Sequence, residues 1–139
     1  MGPTRTIDRS TYARAVLGHD DSALTANLAD AGLQRAAARE WTGPGGARLV
    51  AVAGLWDDGS PAVALNGEAA ESDVPGPDAT PWTPSDFGGS RGARSPRARA
   101  LSVVVGKASL LVRAEGPVTD AMVIRTMDLM QQAAAAEDR

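Results

Sequence analysis

ALSVVVGKASLLVRA, residues 100–114, sets two apolar runs on either side of Gly106-Lys107. Two residues between alternating runs, glycine first, fit a tight β-hairpin with a turn of the primed type. If Val105 faces Ala108, then Val103 faces Leu110 and Leu101 faces Val112. One face of the pair then collects Leu101, Val103, Val105, Ala108, Leu110, Val112 and Ala114. The other collects Ser102, Ser109, Arg113 and Glu115, with Val104 and Leu111 among them. A slip of one residue mixes the two sets, so the pattern specifies its own register.

Downstream, Thr119 is placed to cap a final helix, and Val118 and Val123 are placed to form a hydrophobic staple across its start. Val123, Met127, Met130 and Ala134 make its buried stripe. Asp120, Arg125, Asp128 and Gln132 make its wet side. Upstream, Arg48 to Trp56 alternates Leu49, Ala51, Ala53 and Leu55 with Val50, Val52 and Gly54, which predicts a strand. Gly43-Pro44-Gly45-Gly46 reads as a hairpin loop. Its other arm is then Gln34 to Thr42, a strand in spite of alanines that favour helix.

Ser10 and Ser22 read as caps of two opening helices, closed by Gly18 and Gly32, with Leu24, Leu28 and Ala31 sharing a face of the second. Asp57-Asp58-Gly59 turns the chain, and Ser60-Pro61 opens a further helix toward Glu71. Residues 1–9 read as a lead-in, 72–97 as a long irregular loop, and 137–139 as a frayed tail. The order after the opening helices is two ββα units. The expected fold is α+β: a single domain over residues 1–139, with a four-stranded antiparallel sheet and helices mainly on one face.

A chain of 139 residues has room for one modest core. Its aromatics are Trp41, Trp56, Trp82, Tyr12 and Phe87, so the core rests on Val, Leu, Ile and Met with close approach over Ala. The net charge of −3 gives no bulk signal for nucleic acid. The absence of cysteine excludes disulfides, thiolate metal sites and Cys nucleophiles. No apolar run approaches the roughly 20 residues of a membrane helix. Lys107 is the only lysine among many arginines, a coding bias of a high-GC genome.

Ala31 through Ala70 combines a small-residue–Gly–Leu step, an Arg-containing strand ending in Trp41, a Gly-rich loop, GARLVAVAGLWDDGS and an Ala-rich segment. Together with the closing strand–turn–strand–GPV–helix pattern, it resembles a group of actinobacterial extracytoplasmic domains. These include secreted lipoproteins and the external sensor domains of some membrane kinases. The resemblance covers roughly Ser22 to Gln132 and rests on pattern rather than on a diagnostic motif. Kinase sensor domains of this type usually carry disulfides, and this chain departs from them in having no cysteine. What the resemblance implies is a membrane-anchored or secreted binding module, the signal or anchor lying outside this chain, with no catalytic residue to carry over.

The candidate sites are few. His19-Asp20-Asp21 is an incomplete metal set, because adjacent side chains rarely converge on one ion, and it reads as a solvated cap region. Asp57-Asp58-Gly59-Ser60 starts like a calcium loop but lacks the later oxygen ligands. No Ser sits in a Gly-x-Ser-x-Gly context, and His19 is the only His, so a Ser–His hydrolase is disfavoured. No motif calls for a cofactor or a metal. The cluster Arg91, Arg94, Arg97 and Arg99 stands out, beside Gly88, Gly89 and Gly92. Guanidinium groups at this density suit phosphate, anionic lipid or an acidic partner. The cluster lacks the interleaved aromatics that would stack bases. Trp82 and Phe87, in the same long loop, are candidates for a partner's hot spot or for tethers of the loop to the core.

The expected function is a non-enzymatic extracytoplasmic binding or sensor module close to a membrane. It would capture a protein or small anionic ligand, not nucleic acid, through Trp82, Phe87, Arg91, Arg94, Arg97 and Arg99. The alternative is a cytosolic protein–protein adaptor or a subunit of a larger complex.

Overall fold

The computed structural model describes residues 5–8, 11, 12, 28, 30, 32–57, 79–85, 87 and 90–137. The expected hairpin forms with the expected register: β6 (Ala98–Val105) pairs antiparallel with β7 (Ala108–Glu115), and Leu101, Val103 and Val105 face Val112, Leu110 and Ala108. Gly106 takes φ +58° and Lys107 stays negative, the sign pattern of a type II′ turn. The Gly-rich hairpin also forms, joining β2 (Leu33–Thr42) to β3 (Arg48–Trp56) through a single 3₁₀ turn at Pro44–Gly46. Alanines do not make β2 a helix because Ala36 and Ala38 are buried in the sheet beside Tyr12 and Leu28.

Among the described residues the sheet has seven strands, not the expected four. Three short strands, β1 (Arg5–Ile7), β4 (Thr80–Pro81) and β5 (Arg91–Ser95), extend it at its two edges. The order is β1-β2-β3-β7-β6-β5-β4, every pair antiparallel. The two-ββα reading therefore fails: the described residues form one antiparallel sheet followed by a C-terminal helix, α1 (Asp120–Glu137). The lead-in and the long loop supply the extra strands. Arg-Thr-Ile, Thr-Pro and Arg-Gly-Ala-Arg-Ser are too short or too polar to show alternation, and they are strands because a neighbour offers unpaired backbone groups. Short edge strands, one ending in Pro81, also blunt the sheet's edges against further pairing.

Both faces of the sheet are covered. On one lie Leu49, Ala51, Leu101, Val103, Leu110, Val112 and Ala114, closed over by Val118, Val123 and Met127 from α1 and its lead-in and by Trp82 and Phe87. On the other lie Val52, Trp56, Ala93, Ala100 and Leu111, packed with Tyr12, Leu28 and Leu33. The expected one-sided arrangement is overturned by this second core. Ser109 sits in it fully buried. Its Oγ accepts from Trp56 Nε1–H at 2.9 Å and lies 3.2 Å from the Tyr12 hydroxyl. A polar side chain is tolerated there because its neighbours satisfy it.

The start of α1 follows the expected design. Thr119 Oγ1 accepts from Met122 N–H at 3.2 Å, and Val118 and Val123 are both buried in one cluster. In the opening segment the contact seen is Asp8 Oδ1 accepting from Thr11 N–H at 2.7 Å, two residues before the expected cap at Ser10. Most of the two opening helices, the helix from Ser60, and the segments His19-Asp20-Asp21 and Asp58-Gly59 lie outside the described residues.

Candidate functional site

The long segment expected to be irregular delivers its arginines in two directions, because side chains alternate along a strand. Arg91 and Ala93 point to the face carrying Ala100 and Leu111, and Arg94 points to the opposite one. Arg91 faces Ser102 across the ladder, so it stands apart from the other three arginines. Arg94 lies directly opposite Arg99 on β6. Arg97 occupies the turn between β5 and β6, and its carbonyl accepts from Gly116 N–H at 2.9 Å. That bond brings the turn to the chain just ahead of α1.

Two like charges facing each other across a ladder repel. Asp120, in the first turn of α1, resolves the conflict by accepting from both. One carboxylate oxygen takes Arg99 Nε–H at 2.5 Å, and the other takes Arg94. Each guanidinium also has a second anchor. Arg99 donates to the Val118 carbonyl at 2.5 Å, and Arg94 lies over the Trp82 ring, 5.6 Å from its centre. The two differ in exposure: the Arg99 side chain is 17% accessible and that of Arg94 45%. Arg99 is thus the fixed member. An ion pair as open to water as Arg94–Asp120 contributes at most about 1 kcal/mol and exchanges readily. Arg97 is exposed, and among the described residues its guanidinium has no ion-pair partner.

Arg94, Arg99 and Asp120 border an open surface cleft of about 250 Å³ whose described lining also includes Thr80, Ser95 and Pro96 but not Arg97. The Thr80 hydroxyl donates to the Arg94 carbonyl at 3.4 Å and ties β4 to the cleft wall. Gly92 makes the arrangement compact. A Cβ there would lie 2.3 Å from the Ala100 carbonyl oxygen, so only glycine lets β5 approach β6 this closely. Chemically, the cleft presents guanidinium N–H donors, those of Arg99 fixed and those of Arg94 exchangeable, and positive charge, the elements of oxyanion recognition.

Trp82 and Phe87 are buried, at 7% and 5% exposure, in the core beneath α1. They tether the loop, and Trp82 adds its ring face under Arg94. Neither offers an exposed hot spot. Asp120, Thr80 and Ser95 are site residues the sequence reading did not single out. Asp120 read as the wet side of a helix, and only the position of α1 against β5 and β6 reveals its role. Among the described residues, no helix is long and apolar enough to cross a membrane. Comparison with protein-family models, with curated proteins and with solved structures finds no match.

Proposed function

We propose that this chain is a non-enzymatic binding or sensor module acting outside the cytoplasm, tethered to a membrane or secreted, which captures an anionic ligand or an acidic partner at Arg94, Arg97 and Arg99. The observation that carries the binding reading is the pair of guanidinium groups held facing each other beside an open cleft, each with an anchor besides Asp120. Donors fixed before a ligand arrives lose little freedom when it binds. A positive corner on a chain of net charge −3 also concentrates anions at one place. The extracytoplasmic part rests on the pattern from Ala31 through Ala70 and on the closing strand–turn–strand–helix pattern.

The test of the site is retention on an oligoglutamate-coated surface at low salt. The wild-type chain should be retained, and the triple change Arg94→Ser, Arg97→Ser and Arg99→Ser should lose retention. Arg91→Ser, on the opposite face of the sheet, should keep it. Equal retention of all three proteins would overturn the site. The location is tested by protease treatment of intact cells followed by a membrane wash. Digestion from outside supports the reading. Protection, with the protein in the soluble fraction, overturns it in favour of a cytosolic adaptor.

A further inference from the structure

We infer that the sheet face beside α1, over β2 and β3, is a docking groove for an amphipathic helix of a partner protein, one with acidic side chains flanking its apolar stripe. Width sets the shape of the occupant. Strands lie about 4.8 Å apart and a helix is about 10 Å across, so one helix covers about two strands. α1 lies over β6 and β7 and meets β3 only at its margin. Trp82 and Phe87 close the β5 side of this face. On the other side β3, β2 and β1 leave a strip about 14 Å wide, room for one more helix laid beside α1.

The strip has an apolar floor and an apolar wall. Register puts Ala37 opposite Ala53 and Arg35 opposite Leu55, on the face that α1 covers farther along. Ala37, Ala53 and Leu55 are only partly buried there. Asp120 turns toward Arg94 and Arg99, on the β5–β6 side. At about 100° per residue, Met122 and Leu129 then lie on the opposite flank of α1, toward β3. Arg99 faces Ala114, which faces Leu49, and Ala53 lies about 14 Å beyond Leu49 along β3. Leu129 lies about 14 Å beyond Asp120 along α1. Leu129, the large apolar side chain left exposed among the described residues, thus stands level with Ala53. Charge selects the partner. Arg35 on the sheet and Arg125 on the helix are exposed, and among the described residues neither has an ion-pair partner. They favour acidic groups on whatever lies between them. They oppose a second copy, because a two-fold axis brings the same basic rim against itself. A strip sunk beside a raised helix suits a rod better than a flat bilayer. The groove lies on the far flank of α1 from the Arg94–Arg99 corner, so it stands independently of the anion site.

The experiment pans phage-displayed random peptides about 16 residues long, some four turns of helix, on the immobilised 139-residue chain. Clones that also bind Leu129→Glu are removed. Those kept should carry apolar residues at helical spacing and an excess of Asp and Glu. The leading clone, made as a labelled peptide, should bind the wild type saturably in fluorescence anisotropy. Arg35→Glu and Arg125→Glu, with folding checked by circular dichroism, should each weaken it about threefold or more at low salt. No Leu129-dependent clone, or clones without the acidic excess, overturns the proposal. Equal weakening by Arg97→Glu assigns the peptide to the anion corner and overturns the groove. Two sedimentation experiments test the other occupants. A dimer that Leu129→Glu dissolves assigns the groove to a second copy, and Leu129-dependent pelleting with phosphatidylglycerol vesicles assigns it to a lipid surface. Either result overturns the partner helix.

Discussion

Ser109 shows how a single residue reconciles a polar side chain with a dry core. In the hairpin pattern it belongs to the polar face, which by alternation alone should be wet. It is instead fully buried, between the Trp56 indole N–H and the Tyr12 hydroxyl, whose rings meet edge to face at 6.0 Å. Indole can only donate, so Ser109 Oγ is its acceptor and remains able to donate to or accept from Tyr12. Ser109→Ala leaves the Trp56 donor buried without a partner and should cost about 1–3 kcal/mol, read as a lower urea midpoint with an unchanged slope. An unchanged midpoint would mean that the trio adds nothing to stability. The arginines teach the complementary lesson. Four within nine residues look like one cluster in the sequence, yet strand alternation sends Arg91 to one face and Arg94 to the other.

The elements that were legible are those whose pattern is local. The β6–β7 hairpin was readable to the residue pair, because alternating runs and a glycine-first turn admit one register. The start of α1 was readable because capping is a contact between neighbours in sequence. Thr119→Ala removes the acceptor for the Met122 N–H and should cost about 1 kcal/mol, whereas Thr119→Ser should be near neutral. Thermal unfolding of the two variants side by side checks this, and equal melting temperatures would show the cap to be silent. The edge strands are a different case. β1, β4 and β5 carry no periodic apolar signal, and their conformation is imposed by the ladders they join. Gly92 was a hint, since a glycine within a strand often marks a close backbone approach, as it does here against Ala100.

At the scale of the molecule, the sheet is a shared wall between two cores. The burial of both faces explains why β6 and β7 carry Leu101, Leu110, Leu111 and Val112 with almost no access to water, whichever way they point. It also ties stability to the docking of α1. Met127 is fully buried between the helix and the sheet, and Leu129 two residues on is 57% exposed. Met127→Ala should therefore lose about 2–5 kcal/mol to the cavity it leaves. Leu129→Ala should stay within about 0.5 kcal/mol of the wild type. Comparable losses at both positions in a denaturant titration would contradict the packing of α1. The same docking sets the site, since Asp120 reaches Arg94 and Arg99 only while α1 lies where it does.

The two hairpins, the register of the second, the final helix with its cap and staple, and the concentration of arginine between residues 91 and 99 are all legible in residue order. Each of these is written in contacts within a turn, a helix repeat or an adjacent pair of strands, and residue type alone specifies them. The number of strands, the burial of the second face and the members of the site emerge once the chain is folded. Those depend on residues far apart in the chain: β3 beside β7, Tyr12 on Ser109, Asp120 between Arg94 and Arg99. No local pattern encodes such pairs, because what fixes them is the free energy of covering two faces of one sheet at once.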